Sequence, residues 1–291
     1  MTDNLRGSLF MVLAMAGFAF EDAFLKAASQ HLPLGIVVTV MGALGMAMFA
    51  ALAVARGDRP IPAILASRVM LWRSASEIIG RLFYALALAL TPLSQTSAIL
   101  QATPLVVVLG ASWLFGEKIG LQRWLLIIAG FLGVLIIIRP GLEGFSALSL
   151  LAVAGLLGFA GRDLATRAAA PALTNAQLGV AGFMVLMLSG LIILLVVQPA
   201  ISLNALGLGM TAGAAVFGVL AYAALTQAMR TGEVGVVTPF RYARLLFALV
   251  LGFLVFGERP DALTLLGSAV IVACGVVILS QSRRRQPLSP R

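Results

Sequence analysis

Apolar runs of about twenty residues alternate with short polar breaks along the chain, and this rhythm repeats ten times. Read between charged or Pro/Gly breaks, the runs fall at 5–27, 34–55, 69–90, 93–115, 120–139, 146–166, 176–197, 205–229, 234–256 and 262–281. Each approaches the ~20 residues an α-helix needs to cross a bilayer. The breaks between them, such as ARGDRPIP, FGEKIG, RPGLEG, VQPAIS, RTGE and FGERPD, leave no room for an extramembrane domain. The pattern predicts an all-α membrane protein with ten transmembrane helices.

Polar positions inside the runs recur at a fixed spacing. GFAFEDAFLKAA at 17–28 returns as GFAGRDLATRAA at 158–169, an offset of 141 residues. WLFGEK at 113–118 returns as LVFGER at 254–259 with the same offset. Two separate landmarks at one spacing define a duplicated five-helix unit, a common plan among secondary transporters. Five is odd, so the second unit enters the membrane from the opposite side. The expected organisation is repeat 1 at 5–140, repeat 2 at 146–281 in inverted topology, and a basic cytoplasmic tail at 282–291.

Composition agrees with a lipid environment. The chain of 291 residues is 61% hydrophobic and 11% charged, with mean hydropathy +1.06. Soluble domains carry about 25% charged residues. The first apolar run opens a repeat and so belongs to the fold rather than to a cleavable signal. Cys274 is the one cysteine and His31, in a short loop, the one histidine, so neither a disulfide framework nor a thiolate or histidine metal site is expected. No cofactor is expected either.

The formal charge of +9 is spread between apolar runs, with its dense cluster at Arg283, Arg284 and Arg285. Directly after a span, such a cluster suits anionic headgroups rather than nucleic acid. With the N-terminus inside, the cytoplasmic ends collect Arg6, Arg56, Arg59, Arg68, Lys118, Arg123, Arg167, Arg230 and the tail. The outer loops hold Lys26, Arg139 and Arg259. By the positive-inside rule both termini are expected in the cytoplasm.

Ionisable groups inside spans are expensive and are therefore functional candidates. The third span carries Arg73, Glu77, Arg81 and Tyr84 near one helical face. Arg73 and Glu77 suit a mutual pair, whereas Arg81 lies near the bilayer centre. Its repeat mate is Tyr222. Gln101 in the fourth span has Tyr242 as mate in the ninth, which also carries Arg241 and Arg244. Pro104 and Pro239 are expected to kink these two helices and free carbonyls toward a cavity. The candidate substrate-binding set is Arg81, Tyr84, Gln101, Tyr222, Tyr242 and Arg244. Arg241 reads more simply as reaching cytoplasmic headgroups, and Ser94 and Ser97 as helix-packing groups.

Asp22 with Lys26, and Asp163 with Arg167, have the i, i+4 spacing of structural ion pairs. Glu21 and Arg162 differ between the copies, which leaves a local use open. In the GlyGlu pairs, Gly ends one helix and Glu is expected at the positive N-terminus of the next.

Two five-helix halves, a GF/A–D–K/R–A first helix in each, and FGE[KR] before the fifth helix of each resemble the EamA type of the drug/metabolite transporter superfamily. The resemblance covers about residues 5–281, and in appearance it is nearest the YddG-like aromatic amino-acid exporters. It implies a bacterial inner-membrane protein whose helices three, four, eight and nine line a central cavity. The implied function is export of small amphipathic metabolites, amino acids first, by alternating access. Partners would be the substrate and the bilayer, with a monomer or weak oligomer as the working unit. A multidrug, nucleoside or other metabolite exporter of the same fold is the alternative.

An intramembrane enzyme is the distant alternative, because the chain has no HExxH, GxSxG or DDxxD. A GxxxxGK[ST] phosphate loop, which a primary pump would need, is also missing. Arginine offers a bidentate fork for a carboxylate, and the tyrosines and Phe83 suit an apolar or aromatic side chain. Glu77 is the one carboxylate on the presumed cavity face, with an arginine a turn away on either side. Proton coupling is therefore favoured no more than facilitated efflux or exchange.

Overall fold

In the computed structural model, which describes residues 3–115, 120–139, 146–168, 173–200, 204–231 and 237–284, ten spans are built from helices alone. α1 (Asp3–Ser29), α2 (Leu34–Ala55) and α3 (Arg68–Leu90) form the first three. The fourth is divided into α4 (Leu93–Leu100) and α5 (Thr103–Phe115), and α6 (Leu121–Ile138) closes the first half. The second half runs α7 (Ser149–Ala168), α8 (Asn175–Val197) and α9 (Ala205–Thr231). A 3₁₀ turn (Thr238–Tyr242) then leads into α10 (Ala243–Phe256), and α11 (Ala262–Arg284) completes it. Among the described residues, five stretches are long and apolar enough to cross a membrane by composition alone: Asp3–Ser29, Leu34–Ala55, Leu93–Leu114, Asn175–Val197 and Ala205–Ala228. α3 falls short of that measure because it carries Arg73, Glu77 and Arg81. Large apolar side chains such as Trp113, Leu121, Leu195 and Val196 point outward, as a lipid-facing surface requires.

The halves interlock rather than stand side by side. The most extensive packing joins α1 to α9, α2 to α8, α3 to α7 and α6 to α11, each pair crossing between repeats. Absent side chains permit the closest crossings. A Cβ on Gly158 would stand 2.3 Å from the Gly80 nitrogen, and one on Gly42 2.3 Å from the Met187 nitrogen. The repeat mates of Gly158 and Gly80 are Gly17 and Ala221, and a Cβ on Gly17 would stand 2.9 Å from that of Ala221. The same small-residue device therefore serves α3/α7 and α1/α9.

The two interrupted spans break at matching positions. α4 ends at Leu100, and the 3₁₀ turn gives way to α10 after Tyr242, the repeat mate of Gln101. Pro104 lacks the N–H that would reach the Leu100 carbonyl, and the Thr103 hydroxyl donates to that carbonyl instead at 2.6 Å. The freed carbonyl is thus taken up locally. The breaks are also tied to each other, because the Gln101 amide donates to the Arg241 carbonyl at 3.3 Å.

Of the two FGE motifs, Gly116–Glu117 lies outside the described residues. Gly257 ends α10 with φ +64°, a left-handed conformation that costs glycine little. Glu258 does not serve the following helix as expected. Its carboxylate accepts from the N–H groups of Leu93 (2.7 Å) and Ser94 (3.0 Å) and from the Ser94 hydroxyl (2.8 Å). It therefore caps α4 of the other half, where unpaired N–H groups favour an anion. The N-terminus of α11 is served by Asp261, which accepts from the Thr264 N–H at 2.8 Å. Asp261 also pairs with Arg139. The two contacts, Arg139 foremost, hold its carboxyl down to about 2.

Candidate functional site

Buried charges gather where α1, α3, α7, α9 and the α10 end of the ninth span meet. Asp22 of α1 accepts from Arg244 through Nη2 at 2.6 Å and Nε at 3.1 Å, and from the Tyr84 hydroxyl at 2.9 Å. The Arg244 guanidinium also lies over the rings of Phe18 (5.2 Å) and Tyr84 (5.6 Å). One aspartate thus joins the first, third and ninth spans. Charge-assisted bonds of this kind are among the stronger ones a protein makes.

A second knot forms around Glu77, which is fully buried. It stands 3.0 Å from Arg73, 3.6 Å from Arg162 and 4.0 Å from Arg81. Arg81 is also 3.6 Å from Glu21. Arg162 donates to Asp163 through Nε at 3.0 Å and Nη2 at 2.8 Å. The repeat mates Glu21 and Arg162 thereby approach the two charges of α3 from opposite sides, Glu21 at Arg81 and Arg162 at Glu77. Opposite charge at mated positions matches the opposite charges of their α3 partners.

Aromatic rings flank the charges. Phe159, the repeat mate of Phe18, lies under the guanidinium of Arg162 at 5.0 Å and near that of Arg81 at 5.9 Å. Tyr222 of α9 packs edge-on against Phe49 at 5.6 Å and Phe183 at 6.5 Å. A Cβ on Gly182 would fall 3.7 Å from the Glu77 carboxylate and 3.9 Å from the Tyr222 ring, so this aromatic group borders the Glu77 knot.

Four of the six predicted binding residues, Arg81, Tyr84, Tyr222 and Arg244, therefore lie in or beside one cluster. Gln101 and Tyr242 do not join it. They mark the helix breaks, with Gln101 bound to a backbone carbonyl and Tyr242 buried in the 3₁₀ turn that packs on α1 and α11. The expected pair of Asp22 with Lys26 is corrected. Asp22 turns to Arg244, while Lys26 donates to the carbonyls of Thr91 (2.6 Å) and Leu88 (3.1 Å) and stands 3.9 Å from Glu258. The end of α3 presents carbonyls that attract a cation, and Asp22 finds a forked donor in the opposite half. Asp163 bonds to Arg162, and the side chain of Arg167 lies outside the described residues. A cleft of about 270 Å³ opens at the loop ends near Ser94, Arg139, Glu258 and Asp261.

Glu21, Asp22, Arg162 and Asp163 stand in the cluster although the candidate binding set omits them. The repeated GF–D phrase carries Asp22 and Asp163, and Glu21 and Arg162 are the differing mates for which a local use stays open. Phe18 and Phe159 stand in that same phrase, whereas Phe49 and Phe183 gave no signal, because phenylalanine in an apolar run is ordinary.

Comparison with known proteins adds a lineage to this geometry. The EamA-like transporter family matches residues 5–139 and 143–281. A riboflavin transporter of Vibrio cholerae serotype O1 is 28% identical over 272 residues, covering 92% of this chain and 91% of its own. The pseudopaline exporter CntI of Pseudomonas aeruginosa (strain UCBPP-PA14) is 30% identical, covering 96% and 97%. An S-adenosylmethionine uptake transporter of Rickettsia bellii is 26% identical over 70% of each chain. A crystal structure with 20% sequence identity superposes with a TM-score of 0.65 over 97% of this chain and 99% of its own, a likeness of fold.

Proposed function

We propose, proceeding from the fact that the chain belongs to the EamA-like transporter family, that it exports small amphipathic metabolites, amino acids first among them. The chain is a multi-pass membrane protein, and its named relatives move small metabolites. The observation that carries the finer reading is the buried cluster at the seam between halves. It combines guanidinium groups, carboxylates and aromatic rings on elements of both repeats. Charged groups give an amino acid's carboxylate and ammonium opposite partners, and the rings suit its side chain. Alternating access follows from rocking one repeat against the other around such a seam.

A second reading has its own support. The Phe49, Phe183 and Tyr222 rings suit a flat heterocycle, and one relative is named for riboflavin. Export assays in cells loaded with amino acids, nucleosides, riboflavin and cationic drugs separate the two. Retention of amino acids with release of heterocycles would replace the first reading by the second. The proposed setting is the bacterial inner membrane with both termini cytoplasmic. Reporter fusions after Gln30 and after Gln281 should then mark opposite sides, and agreement between them would contradict it.

A further inference from the structure

The cluster's charges do not balance. Among the described residues it holds four carboxylates, Glu21, Asp22, Glu77 and Asp163. Each lies within ion-pair reach of at least one of Arg73, Arg81, Arg162 and Arg244. Four acids thus answer four guanidiniums. A fifth, Arg241, stands in the 3₁₀ turn at the break of the ninth span. The charged groups whose fields reach it are Asp163, Arg162 and Arg244, yet its side chain has no hydrogen bond or ion pair among the described residues. It is only half-buried, whereas Arg73 and Glu77 within the cluster are closed off.

We propose that Arg241 is the residue that receives the anionic group of the transported molecule, and that this group is a carboxylate. The proposal rests on the transport reading above and assigns the substrate's charged end to one side chain. A guanidinium within a membrane span that feels the charge of Asp163 but bonds to no acid among the described residues is unfavourable without a task. A substrate carboxylate supplies the bonded partner that this guanidinium lacks, while the ammonium of an amino acid is left to the cluster's own carboxylates. The planar fork of arginine meets both carboxylate oxygens at once.

The position has a mechanical consequence as well. Gln101 of the other half holds the Arg241 carbonyl, so a ligand drawn to the side chain pulls directly on the joint between the two broken spans. Arg244, one turn further on, is occupied by Asp22 and Tyr84. That makes it a positioning residue, and Arg241 the free contact.

The test uses the purified full chain in proteoliposomes, with counterflow of labelled L-amino acids compared with their amides. Wild type should carry the acid and discriminate against its amide by about tenfold or more, as loss of a charged hydrogen-bond partner implies. Arg241→Gln should lose about tenfold in transport of the acid and thereby erase the preference for acid over amide. Arg241→Lys should recover part of the acid rate with a raised KM, since it keeps the charge and loses the fork.

Arg241→Gln carrying the acid within twofold to threefold of wild type would overturn the assignment. Equal transport of acid and amide by wild type would overturn the anion claim while leaving the transporter reading in place. That comparison needs no variant, so it decides the matter even if Arg241→Gln misfolds. Transport of neither acids nor amides by wild type would refute the amino-acid reading itself and the proposal with it.

Discussion

Asp22→Asn probes the seam between the two halves most sharply. The side chain of Asp22 is 4% exposed and binds Arg244 through two nitrogens and Tyr84 through its hydroxyl. Asparagine preserves the shape and one acceptor oxygen, but it removes the charge that neutralises Arg244. Breaking one partner of a buried pair costs about 3–5 kcal/mol, because the other charge is left uncompensated. The retained oxygen keeps part of the bonding, so the expected loss is about 3 kcal/mol, above a hundredfold in the ratio of folded to unfolded protein. Reversible unfolding of the purified protein in detergent, followed by tryptophan fluorescence against denaturant, measures it. The double variant Asp22→Asn/Arg244→Gln should be less damaged than the sum of the two single variants, with a coupling energy of about 1–3 kcal/mol. A change below about 0.5 kcal/mol, or strict additivity, would refute the seam. Normal stability with complete loss of transport would move Asp22 from positioning into the transport step itself.

The remaining expectations concern other parts of the fold. Glu258→Gln removes the anion from the N-terminus of α4 and should lower stability by about 1–2 kcal/mol in the same unfolding assay; an unchanged midpoint would show that the cap is idle. Gly158→Val places side-chain atoms against the Gly80 backbone and should abolish folded yield on gel filtration, whereas Gly209→Ala, with nothing within 4 Å, should fold normally. Asp261, ordinarily near 3.8, is held at about 2. A lowered carboxylate stabilises the fold above its unfolded value and loses that contribution as pH falls through the folded one. The difference between wild type and Asp261→Asn should therefore stay constant from pH 8 to about pH 4 and fade below it. The pair is half-exposed, so that difference should not exceed about 1 kcal/mol.

The ten spans were legible because lipid imposes a length and a composition on every helix, and the duplication was legible because two phrases share one offset. The breaks of the fourth and ninth spans were legible in part, since Pro104 and Pro239 mark a kink in each, although the two prolines are not repeat mates. Partner choice was much less visible. The spacing of Asp22 and Lys26 says that they share a helix face. It does not say that an inverted half brings Arg244 to the one and the α3 carbonyls to the other. Glu258 was correctly placed at a helix N-terminus, but the helix belongs to the opposite repeat. For Arg241 the sequence shows only how near an arginine lies to a span's end; that it stands in a 3₁₀ turn at the break of the ninth span is visible only in the fold. Interlocking of inverted halves creates these contacts, and no window along one helix contains them.

The central claim is that the charged seam around Arg81 and Glu77 is the place where the transported molecule passes between the halves. Counterflow in proteoliposomes, with wild type, Arg81→Lys and Glu77→Gln reconstituted at equal amounts of folded protein, tests it directly. Arg81 stands between Glu21 and Glu77, and Glu77 between three arginines. The account predicts that wild type carries a small amphipathic metabolite. It also predicts that both variants lose at least about tenfold in rate, because Glu77→Gln leaves three arginines without their shared carboxylate and Arg81→Lys loses the fork that reaches Glu21 and Glu77 together. Wild-type rates in both variants would contradict it and remove the seam from the transport path.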